Sequence, residues 1–407
     1  LNPGNTVIND LQATIGDNRV ALDLVMSDKL VGKYEINAPD LAEIDPSFRG
    51  RLEGAGGFAG TPKKPALDGQ LSGKDLQIHG WSANAFDLDY NVSPFSTQSS
   101  FMQGDVVGLR QVANQDFIAN ASFRAEGNVD KHNAVLKVST NTTELSAKID
   151  AGWLKDRWQA ALDTLVITDD TFGEWSLREK SRLVAERSGN FNMLDKLCIE
   201  QTGAGVCLNS AQRNKDRTRV DGELASLPIA LVNPWLPEGL KTSGEFFGTF
   251  AIDQSNEGFR GAGKYSVKNG SITALLDEDA PREISIENFS GRFDANAEIA
   301  DLKVATKIGD WLDLQIDARV PTTADAPIKA NVVGVSENIA WLSEFLPELA
   351  GTSGRVEFNG RVSGKRENPQ IDLSAGLKSG TLALPATGLR FSAFNLDVKS
   401  TQPDVLK

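Results

Sequence analysis

The side chains best suited to acid–base catalysis are two histidines, His79 and His132, because imidazole titrates near neutral pH. Neither lies near a nucleophile motif. The sequence has no G-x-S-x-G, H-E-x-x-H, phosphate-loop or dinucleotide-binding fingerprint in a strand-to-helix setting. Two histidines also leave little room for a histidine-rich metal site. We therefore predict no catalytic residue, no metal site and no cofactor, and expect that the chain is not an enzyme.

The two cysteines, Cys198 and Cys207, are the only thiols. Their spacing excludes a C-x-x-C redox motif, and two ligands are too few for a zinc site. Gly203 and Gly205 lie between them and could form the turn of a hairpin, which would bring the two sulfurs together. A disulfide and a pair of buried free thiols both stay open at this point.

Two acidic clusters and one glycine-rich segment invite a ligand-binding interpretation. The clusters, Asp169 with Asp170 and residues 277–279, fit solvated turns better than a calcium or acid–base site. Residues 54–60 (GAGGFAG) are not followed by a helix N-terminus that could receive a phosphate, so we predict a bulge or a turn there.

Composition restricts the class of protein further. The 407 residues carry 42 Lys and Arg against 55 Asp and Glu, a net charge of -13, without a basic block. Nucleic acid is therefore excluded as an expected partner. No apolar run approaches the ~20 residues of a membrane-spanning helix, and no signal peptide is present. The sequence predicts either a mature chain or an excerpt from a longer one.

Alternation of apolar and polar residues with period two dominates the chain, as in Val20, Leu22 and Leu24. Such runs predict half-buried strands separated by Gly, Asn, Asp and Pro turns. Helical candidates are few and short: residues 336–349, ended by Pro347, and residues 231–236. Residues 177–187 fit a helix, a strand or a loop. The sequence predicts an all-β protein with few short helices.

Internal repeats predict how these strands are organised. Leu236, Pro237 and Glu238 recur 110 residues later, with Ser243-Gly244 recurring as 353–354; Gly50, Arg51, Glu53, Gly60, Pro65 and Asp68 recur 304 residues later. Stacked β repeats contact mainly their neighbours, so we expect one continuous, elongated rod. Its approximate subdivisions are residues 1–118, 119–220 (containing Trp and Cys), 221–305 and 306–407. The last repeat is cut short, which predicts a fragment.

A series of degenerate motifs follows one order along most of the chain. The motifs are residues 127–138 (GNVDKHNAVLKV), 152–165 (GWLKDRWQAALDTL), 173–177 (GEWSL), 197–208 (LCIEQTGAGVCL), 224–228 (LASLP), 233–237 (NPWLP), 368–384 (NPQIDLSAGLKSGTLAL) and 388–397 (GLRFSAFNLD). In this order they resemble the TamB branch of the AsmA-like proteins, which run between the two membranes of Gram-negative bacteria. The chain is similar to a middle-to-C-terminal portion of that family.

The resemblance implies a long β-sheet curled into an open trough, a β-taco, that moves phospholipid across the periplasm. It also implies an inner-membrane anchor and a segment that meets an outer-membrane barrel partner (TamA-like), both outside this chain. Half-apolar strands without a second layer independently predict a lined groove. We expect phospholipid acyl chains to contact Val20, Leu22, Leu24, Phe250, Ile252, Val356, Phe358, Ile371, Leu373, Leu382 and Leu384.

The periplasmic location that the resemblance implies is oxidising, which favours a disulfide between Cys198 and Cys207. The expected function is a non-enzymatic lipid conduit between inner and outer membrane. The alternative is a scaffold or chaperone that helps outer-membrane barrel or autotransporter proteins to assemble by strand addition. A surface adhesin fits less well, because it does not explain the ordered motifs.

Overall fold

The computed structural model describes residues 6–112, 114–237, 239–275, 281–309, 311–321, 326–341, 351–365, 368–384, 388–402 and 405–406. Contacts between Cα atoms divide the chain into two units, Leu1–Gln201 and Thr202–Lys407. Both consist of β-strands joined mostly by short turns, and the predicted all-β class is confirmed.

The described residues of the first unit form fifteen strands and one 3-10 helix, Leu41–Glu43. The strands are β1 Thr6–Ile15, β2 Asn18–Met26, β3 Leu30–Ala38, β4 Arg49–Thr61, β5 Lys64–Ile78, β6 Trp81–Val92, β7 Ser100–Gln111, β8 Asn114–Gly127, β9 His132–Ser139, β10 Thr143–Leu154, β11 Arg157–Asp169, β12 Gly173–Leu177, β13 Ser181–Glu186, β14 Phe191–Met193 and β15 Leu197–Gln201. From β1 to β11 each strand pairs antiparallel with the next. β11 then pairs with β12 at one end and with β13 at the other.

In the second unit, the part of the chain that the structure describes forms twelve strands and two 3-10 helices, Ile229–Trp235 and Ile339–Trp341. The strands are β16 Ala204–Asn214, β17 Arg217–Pro228, β18 Leu240–Ser255, β19 Gly258–Leu275, β20 Pro281–Asn296, β21 Ile299–Ile308, β22 Leu312–Pro321, β23 Ile328–Ser336, β24 Ser353–Lys365, β25 Asn368–Leu384, β26 Leu389–Gln402 and β27 Val405–Leu406. Every strand pairs antiparallel with its successor in the chain.

Cavities show that the sheet of each unit is curled. In the first unit a cavity of about 470 Å³ is lined by residues of the five successive strands β7 to β11. In the second unit a cavity of about 890 Å³ is lined by the six successive strands β17 to β22. A flat sheet offers no hollow that reaches so many neighbouring strands, so both sheets bend around these cavities.

The predicted repeat coincides with a repeated bulge. Gly50, Gly244 and Gly354 all have positive φ and lie where the register of their strand with the next one shifts. The partner strand carries a second positive-φ residue in each case: Asp75, Asn269 and Ser379. Glycine accepts this backbone conformation at little cost, and a bulge locally increases twist. The recurring glycines therefore mark recurring bends.

Three local predictions meet the structure with different outcomes. Residues 231–235 lie in the 3-10 helix Ile229–Trp235, as expected for a short helical segment, and Leu236 is its C-cap. Of residues 336–349, Ile339–Trp341 form a 3-10 helix, and residues 342–349 lie outside the described part. Within residues 177–187 the strand alternative is correct, because Ser181–Glu186 forms β13.

The bulge or turn predicted for residues 54–60 is wrong. These residues run without a register shift inside β4, between β3 and β5. The glycines have a different purpose there: Cβ atoms added to Gly56 and to Gly69 of β5 would overlap the phenol of Tyr34. They leave space for an aromatic side chain that lies across the sheet.

Candidate functional site

Strand register places the predicted groove residues of the first unit on one face of its sheet. Residues paired directly across antiparallel strands point to the same side. Val20 heads a row of such partners that extends over ten strands: Val20, Ile36, Gly54, Leu71, Leu88, Gly104, Phe123, Leu136, Ala147 and Leu165. Leu22 heads a parallel row through Tyr34, Gly56, Gly69, Tyr90, Met102, Ala125 and Ala134. We call this side the apolar face of the first unit.

The opposite side of the same strands carries the polar and ionised groups, and we call it the charged face. Its central row is Ala21, Glu35, Ala55, Gln70, Asp89, Gln103 and Arg124. Arg124 donates to Gln103 Oε1 at 3.1 Å, and Lys33 forms an ion pair with Asp23 at 3.2 Å. Such exposed pairs contribute little to stability, so this side is a solvated wall.

The second unit has the same two-faced arrangement. Its apolar face contains the row Leu224, Gly248, Tyr265, Gly291, Val304, Ile316, Val332, Gly360 and Leu373. A neighbouring row is Gly222, Phe250, Gly263, Phe293, Leu302, Ala318, Ala330, Val362 and Ile371. Ile252 lies two residues beyond Phe250 on the same side of β18. Four predicted groove residues thus share one face.

The remaining predicted groove residues lie in the last hairpins of the chain. Phe358 opposes Gly334, and Val356 opposes Ser336, so both continue the apolar face of the second unit. Leu382 pairs with Phe391, and Leu384 pairs with Leu389. Two register shifts near Gly380 separate these last two positions from the rows above.

The apolar faces are open to solvent to an unusual degree for large aliphatic side chains. Val20 is 44% exposed, Ile252 38% and Leu373 49%. Helices in the described ranges are limited to three 3-10 segments of three to seven residues, which cannot cover sheets of this size. These exposed aliphatic side chains are therefore candidates for contact with an apolar ligand.

The charged face of the second unit is held by arginine–aspartate pairs. Arg217 Nε donates to Asp253 Oδ1 at 2.7 Å, and Arg219 donates to Oδ2 at 3.1 Å. The hydrogen bond from Arg217, assisted by Arg219, holds the pKa of Asp253 well below its usual value. Arg319 in the same way lowers the pKa of Asp301, to which it donates at 2.7 Å.

Replacing Asp253 by asparagine is expected to lower the thermal midpoint at pH 7, with a difference from wild type that shrinks in acid. Because the folded-state pKa lies below the unfolded value of about 4, the ionised carboxylate stabilises the fold above that pH. This contribution is lost as the pH falls through the folded-state pKa. Circular-dichroism melts at pH 7, 5 and 3 measure it.

The matched control is Asp313→Asn, since Asp313 on β22 has no arginine partner within the described residues. Its midpoint difference from wild type should be smaller at every pH. An Asp253→Asn defect of equal size at pH 3 and pH 7 would exclude the ion pair as its cause.

His132 has a structural role in the first unit. Its Nε2 accepts a hydrogen bond from Trp158 Nε1 at 2.9 Å, and its Nδ1 lies 3.0 Å from the carbonyl oxygen of Asn128. The ring therefore carries its proton on Nδ1 and links two strands and a turn. His79 occupies a positive-φ turn and packs edge-on against Phe48, with ring centroids 5.5 Å apart. Both imidazoles act in packing.

The acidic turn at Asp169 is explained by local hydrogen bonds. Asp169 Oδ1 accepts from the backbone of Thr171 and Phe172, and Oδ2 accepts from Thr143 Oγ1 at 2.6 Å. The hydrogen bond from Thr143 makes the largest contribution to lowering the pKa of Asp169, and the two backbone hydrogen bonds lower it further. Residues 277–279 lie outside the described part. In the described ranges no three His, Cys, Asp or Glu side chains converge as a metal site would require.

Cys198, in β15, and Cys207, in β16, are both disulfide-bonded. Both side chains are almost fully buried, with 1% and 2% of their surface exposed. The carbonyl oxygen of Cys198 accepts a hydrogen bond of 2.9 Å from the backbone N–H of Arg178, which follows β12. The cysteine strand is thus tied to the short strand that contains buried Trp175.

Tyr34 and Tyr90 belong to the apolar face of the first unit but were not predicted as part of the site. Their hydroxyls form a hydrogen bond across the two strands between them. Burial, followed by this hydrogen bond, raises the pKa of Tyr34. A signal was present in the sequence: Gly54 and Gly56 alternate on β4 directly beside the Tyr34 strand, but their pairing becomes visible only with the register.

The geometry defines a class of protein: an antiparallel β-sheet protein with one open apolar face and one charged face in each unit. The chain belongs to the TamB family, because residues 2–372 match the family model described as TamB, N-terminal domain. Comparison of the chain with curated proteins and with solved structures found no match. The family assignment confirms the resemblance in the sequence, although this model describes an N-terminal domain rather than the middle-to-C-terminal portion that the resemblance implied.

Membership assigns the chain a coarse role. The TamB family spans the periplasm, and its members act without catalysis in lipid transport or outer-membrane assembly. Among the described residues, no helix has the length and apolar character needed to cross a bilayer.

Proposed function

We propose that this chain moves phospholipids across the periplasm between the inner and outer membranes, with their acyl chains against the apolar faces. The observation that carries the proposal is the unbroken row of apolar partners in each unit, from Val20 to Leu165 and from Leu224 to Leu373. No aspartate, glutamate, lysine or arginine interrupts either row.

The energetics favour acyl chains as the ligand. Each CH₂ group removed from water contributes about 0.8 kcal/mol, so partial burial of two tails offsets much of the cost of leaving a bilayer. Headgroups stay at the wet edge of the sheet. Because the rows continue from strand to strand, lipids can slide along them. An inner-membrane anchor and a TamA-like outer-membrane barrel partner complete the proposal.

Photocrosslinking on opposite faces tests this function. A photoreactive amino acid at Leu373 or Leu22, on the apolar faces, is expected to capture phospholipid in living cells. The controls are the adjacent positions Asp372 and Ala21, which point to the charged faces and are expected to capture none. Mass spectrometry of the purified adducts identifies the ligand.

Two outcomes would overturn the proposal. Equal phospholipid capture at Leu373 and Asp372 would mean that binding does not follow the apolar face. Capture of unfolded outer-membrane barrel proteins without phospholipid would instead favour the strand-addition scaffold.

A further inference from the structure

Aromatic rings on the apolar faces lie over glycines of the neighbouring strand. Phe358 of β24 is paired directly with Gly334 of β23. A Cβ atom added to Gly334 would overlap the Phe358 ring, which supplies all three of its nearest neighbours. Gly334 is buried even though its strand belongs to a sheet with an open face. The ring is therefore what covers this glycine.

The same arrangement recurs in both units, always between directly paired residues. The further glycine–aromatic pairs are Gly56 with Tyr34, Gly104 with Phe123, Gly222 with Phe250, Gly263 with Phe293 and Gly291 with Tyr265. In each pair a Cβ added to the glycine would come closer to the ring than real side chains allow. Gly104 and Gly222 are buried like Gly334.

These pairs affect how far the aromatic rings project from the apolar face. Side chains on a strand normally stand roughly perpendicular to the sheet, so an upright phenyl ring would project into the space above the apolar face. A glycine directly opposite the aromatic residue leaves room for the ring to lie parallel to the sheet instead. A row such as Gly222, Phe250, Gly263 and Phe293 then presents flat rings with no upright obstacle between them.

We propose that these glycine–aromatic pairs determine what the apolar face accepts, by keeping it low enough for acyl chains to lie and slide along it. This inference rests on the proposed lipid-carrying function and deepens it. The glycines are positioning residues that act through the rings. An alternative role, in which rings only shield glycine backbone and stabilise the sheet, predicts a different result in the experiment below.

Gly334→Ala is the decisive variant, because the three atoms nearest to the added methyl group all belong to the ring of Phe358, which must move to make room. Gly376→Ala is the matched control. Gly376 lies on the charged face of β25, opposite Glu357 and Asp397, and its added Cβ would meet the flexible carboxylate of Asp397 at 3.0 Å. The double variant Gly334→Ala with Phe358→Leu removes the ring that the methyl group displaces.

Binding of a phosphatidylethanolamine with a fluorescent acyl chain to the full chain provides the readout, with thermal melting alongside. Gly334→Ala is expected to weaken binding about tenfold, while its melting midpoint stays close to wild type. Gly376→Ala should bind as wild type does, and the double variant should recover most of the lost affinity.

Three results would overturn the inference: unchanged binding by Gly334→Ala, a loss that the double variant does not restore, or a loss that accompanies unfolding. Failure of the underlying function is a separate result. In that case the wild-type chain itself would bind no phosphatidylethanolamine, and no glycine variant would differ from it.

Discussion

Arginine in place of Ile252 is expected to block phospholipid passage while leaving the chain folded. Ile252 lies on the apolar face between Val220 and Gly261 and is 38% exposed, so a long side chain can reach water without disrupting the sheet. A passing acyl chain would have to contact the guanidinium. An arginine in hydrocarbon costs about 2.5–3.5 kcal/mol, which corresponds to about a 100-fold loss of acyl-chain binding.

The measurement combines lipid binding by the purified chain with growth of cells that depend on it under outer-membrane stress. Ala251→Arg is the matched control, because Ala251 is the exposed neighbour on the charged face and is paired with Asp221. The two variants carry the same added charge one residue apart. Normal growth and lipid binding by Ile252→Arg, or an equal defect in Ala251→Arg, would refute a conduit along the apolar face.

Sequence alone was sufficient for the strands and for the side on which apolar residues lie. Alternation with period two fixes which residues share a face, and a one-residue error would exchange the faces. Val20, Leu22 and Leu24 therefore appear together on the apolar face of the first unit, and Phe250 with Ile252 on that of the second. Whether these positions contact lipid stays a prediction.

The register that aligns residues across several strands could not be predicted from the sequence. The glycines of residues 54–60 look like a turn in isolation, because glycine weakens a strand. Their place inside β4 follows from Tyr34, which needs the space above Gly56 and Gly69 to reach Tyr90. Such a relation links three or four strands, and no local pattern contains it.

Repeated glycines were recognised in the sequence, but their mechanical role was not. Gly50 and Gly354 were identified only as matching positions, as was Gly244. The structure gives the common cause, a bulge at which each strand carries a positive-φ residue. Positive φ is strongly disfavoured for residues with a Cβ, so these three positions should be among the least tolerant of substitution.

Loss of the disulfide is expected to loosen the strand that carries Cys198. A crosslink that closes a loop of about ten residues stabilises a fold by roughly 2–3 kcal/mol. In the Cys198→Ser, Cys207→Ser double variant, amides near Cys198 should exchange with solvent about 30- to 100-fold faster. Hydrogen-exchange mass spectrometry on peptides covering residues 173–201 measures this. These peptides include the N–H of Arg178, which donates a hydrogen bond to the carbonyl oxygen of Cys198.

Peptides of β22, Leu312–Pro321, serve as the internal control and should exchange as in wild type. A reductant should accelerate exchange in the wild-type chain to the rate of the double variant, and should leave the double variant unchanged.

Thiol labelling must be done after unfolding, because side chains that are 1% and 2% exposed would be protected even as free thiols. Two labelled thiols in the unfolded, unreduced wild-type chain would disprove the crosslink, since a disulfide persists when the fold around it is lost.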